Sequence, residues 1–234
     1  MRFTSLASSS RGNAYLLQTD GASPLLLEAG LPIKQLRDKL RVHGVSLSDL
    51  AGCLVSHEHG DHSKAVKDLL KASVDCYMTP GTAFKLGIQG HHRLKEVADP
   101  FVVEDWVINP FPLEHDAEAP AGFFINHGQD RLLFIPDTAF VENRFEGATL
   151  IAVECNNIAE IMSQNIQEGY IPAMLGKRVR RNHLNLENVK ALLMANDLSR
   201  CREIWLLHLS DGNSDEVRMI KEIQETTGVP TRAA

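Results

Sequence analysis

The sequence predicts an α/β fold formed by a single domain. Strand-like and helix-like segments alternate along its 234 residues, with more strand than a simple doubly wound sheet needs. Hydrophobic residues make up 44% and charged residues 23% of the chain, which is ordinary for a globular protein. No internal repeat, low-complexity segment or linker-like tract divides it, so we predict one domain over residues 1–234.

Apolar patterning predicts the elements of the first half of the chain. Short apolar runs between turn residues predict strands over residues 2–7, 14–19, 24–28, 54–55 and 76–78. Pro32 is tolerated in a first helical turn, and Ile33 and Leu36 follow at helical spacing. Further helices are expected to start at Ser63 and at Pro80.

The second half is first rich in strands and then rich in helices. Residues 102–103, 106–113, 122–126 and 131–135 are predicted to form successive antiparallel strands, with a turn over residues 128–130. Two later apolar strands are expected over residues 150–154 and 204–207. Helices are expected around residues 159–167, 186–196 and 216–227, and Asn185 is a candidate N-cap.

Charge and cysteine usage limit the class of protein. A net charge of −6 argues against a protein coated in nucleic acid, but it allows a local basic track that leads to an active site. The four cysteines are spread along apolar runs and are expected to be buried, reduced thiols, which suits a cytoplasmic protein. No secretory signal and no membrane-spanning stretch is found, so no membrane partner is expected.

The segment HEHGDH at residues 57–62 is the most informative feature of the chain. His57, His59, Asp61 and His62 are potential metal ligands, and imidazole and carboxylate groups suit zinc. The segment follows a predicted strand, so a tight loop could aim the first two histidines the same way. Asp61 and His62 are adjacent and must diverge, and a second metal is the simplest use for them. A structural zinc site is usually closed by cysteines, and no cysteine pair here has ligand spacing.

Three more candidate ligands each follow an apolar strand in the second half. His115, Asp137 and His208 lie where a side chain leaves the core and meets a cleft. With these residues the sequence resembles the metallo-β-lactamase superfamily over essentially the whole chain, and within it the WalJ/YycJ-type branch of predicted nucleases. The supporting stretches are residues 6–13, 115–117, 122–123, 153–157, 182–185 and 207–210. The resemblance implies a four-layer αββα sandwich with two metals at the sheet edges.

The resemblance also implies a set of seven metal ligands. His57, His59 and His115 would hold one ion, Asp61, His62 and His208 would hold the other, and Asp137 would bridge both. Zinc is the preferred ion, with manganese or iron as alternatives. A water shared by the two ions would be deprotonated near neutral pH and would attack the substrate. Glu28 stands where the superfamily usually has an aspartate that orients the HEHGDH segment, and no ligand is lost by this departure.

His183 and the basic stretch before it suggest the substrate. The corresponding histidine in phosphodiesterase branches contacts the scissile phosphate and helps the leaving oxygen to depart, so His183 is a predicted catalytic residue. Asp61, in the implied metal centre, is the other predicted catalytic residue. The predicted substrate-binding residues are Asn13, Arg180, Arg181 and His183. A solvated basic face, a histidine that caps a turn and a plain turn over residues 8–13 remain as alternatives.

The leading hypothesis is hydrolysis of a phosphodiester bond by a dinuclear metal enzyme, with DNA or RNA as substrate and exonuclease action included. A small phosphodiester such as a cyclic nucleotide is the second hypothesis. Thioester or lactone hydrolysis on the same fold is a third, and a metal-stabilised binding module is the non-enzymatic alternative. The oligomeric state is left open, with a homodimer allowed.

Overall fold

The computed structural model describes residues 1–234, which divide into two compact units. The first unit contains residues 1–112 and 117–129, and the second contains residues 113–116 and 130–234. The prediction of a single domain stays a prediction. No helix of the structure combines the length and the apolar character that crossing a membrane requires.

The first unit contains a mixed sheet of six strands in sequence order. The strands are β1 (Arg2–Ala7), β2 (Ala14–Gln18), β3 (Leu25–Leu27), β4 (Gly52–Leu54), β5 (Cys76–Met78) and β6 (Leu94–Glu96). Strands β1 to β3 pair antiparallel, and β3 to β6 pair parallel. The parallel strands β3 and β4 are short and fully buried, as expected for strands that are covered on both faces. Polar residues that follow them therefore emerge at one edge of the sheet.

Helices and three antiparallel strands complete the first unit. The helices are α1 (Ile33–Val42), α2 (Gly60–Ser63), α3 (Val66–Lys71) and α4 (Pro80–Leu86), with a 3₁₀ turn at Leu47–Asp49. The strands are β7 (Phe101–Val103), β8 (Trp106–Pro112) and β9 (Ala121–His127). Leu36 and Leu40 of α1 are fully buried and join the apolar cluster that contains Leu26 and Cys53. This packing explains the helical spacing of the apolar residues after Pro32.

The second unit contains four parallel strands and four helices. The strands are β10 (Asp130–Ile135), β11 (Leu150–Glu154), β12 (Glu203–Leu207) and β13 (Thr231–Ala233). The helices are α5 (Ala159–Gln167), α6 (Ala173–Asn182), α7 (Leu186–Met194) and α8 (Glu216–Thr227). Asn185 caps α7, because its side chain accepts a hydrogen bond from the Asn188 backbone N–H, as predicted. The ends of β10, β11 and β12 lie at the same edge of the sheet because these strands are parallel.

Most of the predicted elements are confirmed, and the predicted start of one helix is wrong. The helix expected from Ser63 begins instead at Val66, because the Ser63 hydroxyl donates to the carbonyl oxygens of Glu58 and His59 within the turn that closes α2. The basic stretch before His183 belongs to helix α6, a helix that the sequence patterns did not predict. The sequence also gave no sign of β6 or β13, which are three residues each.

Candidate active site

The HEHGDH segment of the first unit brings its three histidines together. It leaves the end of β4 and enters α2, so the short buried strand fixes where it starts. His57 is fully buried, with Nδ1 2.8 Å from the Ser56 hydroxyl and Nε2 3.1 Å from Nδ1 of His59. The rings of His57 and His62 lie 4.2 Å apart between centroids. Imidazole nitrogens that face each other this closely suit a shared cation.

The residues directly after β3 hold the HEHGDH segment in place through hydrogen bonds. Glu28 is fully buried and has a positive φ of 63°, which is uncommon outside glycine. Its carboxylate accepts the Ser56 backbone N–H at 3.3 Å and lies 3.5 Å from Nδ1 of His62. The next residue, Ala29, donates its backbone N–H to the His62 carbonyl at 2.7 Å. Glu28 thus has the orienting position that the resemblance implied.

Asn13 lies inside this framework. Its side chain is fully buried, and its carbonyl oxygen accepts hydrogen bonds from the Ser9 backbone N–H at 3.0 Å and the Tyr15 hydroxyl at 3.2 Å. Its amide nitrogen lies 3.3 Å from the Asp61 carbonyl oxygen and 3.1 Å from Nε2 of His62. Substrate contact by Asn13 stays a prediction, and the contacts in the structure are those of a residue that holds Asp61 and His62 in place.

In the second unit, His115 is held in the tautomer that a metal needs. Its Nδ1 lies 2.9 Å from the Asn182 carbonyl oxygen, which can only accept, so Nδ1 carries the proton. Nε2 then holds the lone pair, and it lies 3.3 Å from the Asp116 carboxylate. Burial, partly offset by nearby carboxylates, lowers the pKa of His115 and favours the neutral imidazole, which is the form that binds metals.

Asp137, Glu154, His183 and His208 form a second group at the edge of the parallel strands. One donor atom from each lies within 4.8 Å of the others. Nδ1 of His208 lies 2.6 Å from Asp137 Oδ1 and 3.7 Å from Glu154 Oε1. His208 also has a positive φ of 53°, so its backbone is held in an uncommon conformation at the end of β12. Predicted metal ligands and the predicted catalytic His183 therefore meet at one place.

Glu154 is the functional residue that sequence reasoning missed. It is fully buried and hydrogen bonds through Oε1 to Nδ1 of His183. Its Oε2 accepts the backbone N–H groups of Thr138 at 3.1 Å and Leu184 at 2.9 Å. A carboxylate at the end of an apolar strand was the available signal, since the same rule had identified Asp137.

The carboxylates around His183 control its charge. Burial disfavours the charged imidazolium, but Glu154, Asp137 and Asp116 outweigh this effect and raise the pKa of His183 to about 9. Because Nδ1 is bound to Glu154, the proton on Nε2 is the one that can be donated elsewhere. The pair is thus suited to bind an anion and to supply a proton.

The basic residues that precede His183 lie on different faces of helix α6. Arg178 pairs with Asp116, with Nη2 2.9 Å from Oδ2. Arg180 is exposed and donates to the Ser163 hydroxyl of α5 at 2.9 Å, and Arg181 is exposed at the end of the helix. Gly176 turns toward Ile166, so Lys177, Arg178 and Arg181 share the opposite face of α6. Of the two predicted arginines, Arg181 lies on the face with the other cations and Arg180 is turned toward α5.

Comparison with known proteins gives the family of the chain. A family model described as "Beta-lactamase superfamily domain" matches residues 25–209. The chain is 28% identical to the exodeoxyribonuclease YycJ of Bacillus anthracis, over 97% of this chain and 90% of that protein. It is also 28% identical to the exodeoxyribonuclease WalJ of Streptococcus pneumoniae, over 97% of this chain and 87% of that protein.

Solved structures show the same fold. The metallo-β-lactamase fold protein YhfI from Bacillus subtilis superposes with a TM-score of 0.77 at 18% identity, covering 99% of this chain and 95% of that one. The short form of human tRNase Z superposes with a TM-score of 0.64 at 16% identity, covering 90% of this chain and 93% of that one. The predicted α/β fold class is therefore confirmed.

Proposed function

Because the chain belongs to the metallo-β-lactamase superfamily and is a hydrolase of that kind, we propose that it is a metal-dependent phosphodiesterase that acts on nucleic acid. The observation that carries the proposal is the hydrogen-bonded pair of Glu154 and His183 beside Asp137 and His208. A hydrolase of thioesters or lactones has no need for an imidazolium of this kind at its metal site. Cleavage of a phosphodiester needs both anion binding and a proton for the leaving oxygen.

The proposed metal ligands are the seven that the family resemblance implies. They are His57, His59, Asp61 and His62 of the first unit and His115, Asp137 and His208 of the second. In the second unit their support is the group that contains Asp137 and His208, and in the first unit it is the closeness of the imidazole rings of His57, His59 and His62. Two divalent ions, with zinc preferred, would activate a water and offset charge on the scissile phosphate. As a proposed ligand of one of these ions, Asp61 keeps its proposed catalytic role.

His183 has the proposed role of proton donor. Glu154 fixes its ring through Nδ1, so Nε2 is the nitrogen that would contact a phosphate oxygen. When water attacks phosphorus and the bond to the leaving oxygen breaks, the proton on Nε2 would pass to that oxygen. Glu154 would remain ionised and hold the resulting neutral ring in place.

Two observations favour nucleic acid over a small phosphodiester. Lys177 and Arg181 lie on one face of α6 beside Arg178, which is paired with Asp116, on a chain whose net charge is −6, and this helix leads directly to His183. A localised basic face is the usual footprint of a polyanion. In addition, the two curated relatives named above are exodeoxyribonucleases that match over nearly their full length. Cleavage from a DNA end is the proposed activity.

The variant His183→Ala tests the proposal on the zinc- or manganese-loaded protein. Hydrolysis of bis-p-nitrophenyl phosphate should fall by about 10²- to 10⁴-fold while the bound metal stays constant. The matched control is His43→Ala, since His43 is an exposed histidine at the end of α1. Equal activity of His183→Ala and the parent protein would refute the mechanism. A panel of single-stranded and duplex DNA, RNA, cyclic nucleotides and thioesters then identifies the substrate class.

A further inference from the structure

We propose that a cavity lined in part by Leu184, the residue that follows His183, binds one nucleobase of the substrate, on the nucleotide that carries the scissile phosphate. This inference rests on the proposed function and assigns the site a base-binding pocket. The cavity has a volume of about 200 Å³ and lies in the second unit, between the loop that follows Asp137 and the start of helix α7. Its walls include Phe140, Val141, Arg144, Leu184 and Asn188.

Glu154 fixes both walls of this cavity relative to His183. Its Oε2 accepts the backbone N–H of Thr138 on one side and of Leu184 on the other. The Thr138 hydroxyl lies 2.7 Å from the Phe140 carbonyl oxygen and 3.3 Å from the Phe140 backbone nitrogen. The same carboxylate therefore positions the aromatic wall, the opposite wall and the proposed proton donor, which connects the cavity to His183 through one buried side chain.

The lining has the chemistry that a base needs. Phe140 is a phenyl ring with 56% of its surface exposed, which leaves a π-face available for stacking. Val141 and Leu184 are buried and give the cavity an apolar floor. A volume of about 200 Å³ is below the roughly 300–1,000 Å³ of pockets for drug-sized ligands, so it suits one ring system rather than a whole nucleotide.

Two polar groups at the cavity match the rest of a nucleotide. Asn188 is exposed on the first turn of α7, and its amide has both donors and an acceptor for a base edge. Arg144 is exposed and donates only to the carbonyl oxygens of Glu142 and Asn143, so no carboxylate neutralises it. Its guanidinium can therefore bind a phosphate next to the base.

The variant Phe140→Ala tests stacking without relying on hydrolysis. In EDTA, fluorescence anisotropy gives the dissociation constants of a labelled single-stranded oligonucleotide and of its abasic counterpart. The parent protein should prefer the intact strand, and Phe140→Ala should weaken its binding by about 5- to 100-fold, with little change for the abasic strand. Phe140→Trp should restore the preference. Phe84→Ala is the matched control, because Phe84 is 60% exposed on helix α4.

A second measurement separates this inference from the proposed function. Thymidine 5′-p-nitrophenyl phosphate and methyl p-nitrophenyl phosphate share a leaving group, but only the first carries a base. With metal bound, Phe140→Ala should raise KM for the first substrate and leave the second unchanged. The base pocket is refuted if the parent protein does not distinguish intact from abasic strands, or if both substrates are affected equally. Absence of any diester hydrolysis together with a Phe140-dependent preference for bases would instead refute the proposed function alone.

Discussion

Gly30 lies against the HEHGDH segment with no room for a side chain, so Gly30→Ala should displace this segment. A Cβ atom at this position would lie 1.6 Å from the Asp61 carbonyl oxygen and 2.6 Å from the Asn13 backbone nitrogen. Cβ atoms essentially never approach a heavy atom within 3.0 Å, so the carbonyl group must move by about 1.4 Å, the difference between 3.0 and 1.6 Å.

The cost follows from the contacts that this movement breaks. The Asp61 carbonyl accepts the Asn13 backbone N–H at 2.7 Å and the Asn13 side-chain amide at 3.3 Å. A buried group left without its partner costs about 1–3 kcal/mol, and overpacking of a filled site adds about 1–3 kcal/mol. The free energy of unfolding should therefore fall by at least about 2 kcal/mol, a large share of the ~5–15 kcal/mol of a typical domain.

Urea unfolding measures the stability that Gly30→Ala loses, and the zinc content measures whether the displaced HEHGDH segment still binds metal. The control is Gly60→Ala, within the HEHGDH segment itself, where an added Cβ meets no atom within 4 Å. This control should keep its metal and change stability by less than about 1 kcal/mol, in the stabilising direction because alanine restricts the unfolded chain. Gly30→Ala with full metal content and a free energy of unfolding within about 0.5 kcal/mol of the parent would refute the reasoning.

Two further variants test charges in the second unit. Glu154→Gln keeps the shape of a buried side chain but removes the charge that holds His183. The kcat on bis-p-nitrophenyl phosphate should therefore fall by about 10- to 100-fold, with the metal content unchanged. Loss of metal would show that Glu154 is a ligand instead. Hydrogen bonds from Lys190 and Arg218 lower the pKa of Glu222 below its usual 4.5. A carboxylate with a lowered pKa stabilises the folded chain above pH 4.5, and this stabilisation is lost as the pH falls through the folded-state pKa. In urea unfolding near neutral pH, Glu222→Gln should therefore lower the free energy of unfolding by less than about 1 kcal/mol. The difference between the variant and the parent protein should shrink in acid. A constant difference across pH would contradict this assignment.

The sequence patterns located the strand ends correctly, but they did not show that the last residue of β11 belongs to the site. Asp137 and His208 were found because each follows an apolar strand, and parallel pairing of β10 to β12 brings their ends to one edge. Glu154 satisfies the same rule, but it was counted as the last residue of β11 and not as part of the site. The periodic pattern identifies a strand without showing whether its final carboxylate is buried.

Helix α6 and Asn13 depended on tertiary contacts that a sequence pattern does not contain. Among the residues of α6 only Gly176 is buried, in close contact with Ile166 of α5, so no apolar stripe marks the helix. Asn13 contacts Asp61 and His62, nearly 50 positions further along the chain. Its neighbours in sequence predict only a turn, and its burial follows from packing of the complete first unit.

The support beneath the HEHGDH segment has a consequence for the choice of metal in the cell. Ser63, Glu28 and Asn13 hold the histidines and Asp61 by hydrogen bonds of the chain itself, so the segment keeps its shape whichever ion arrives. We therefore expect the chain to fold before a metal binds at the proposed site, unlike small zinc domains that unfold without their ion. Ions could be exchanged in the folded protein, and the metal found in it would follow the supply in each growth condition more than any selection made during folding.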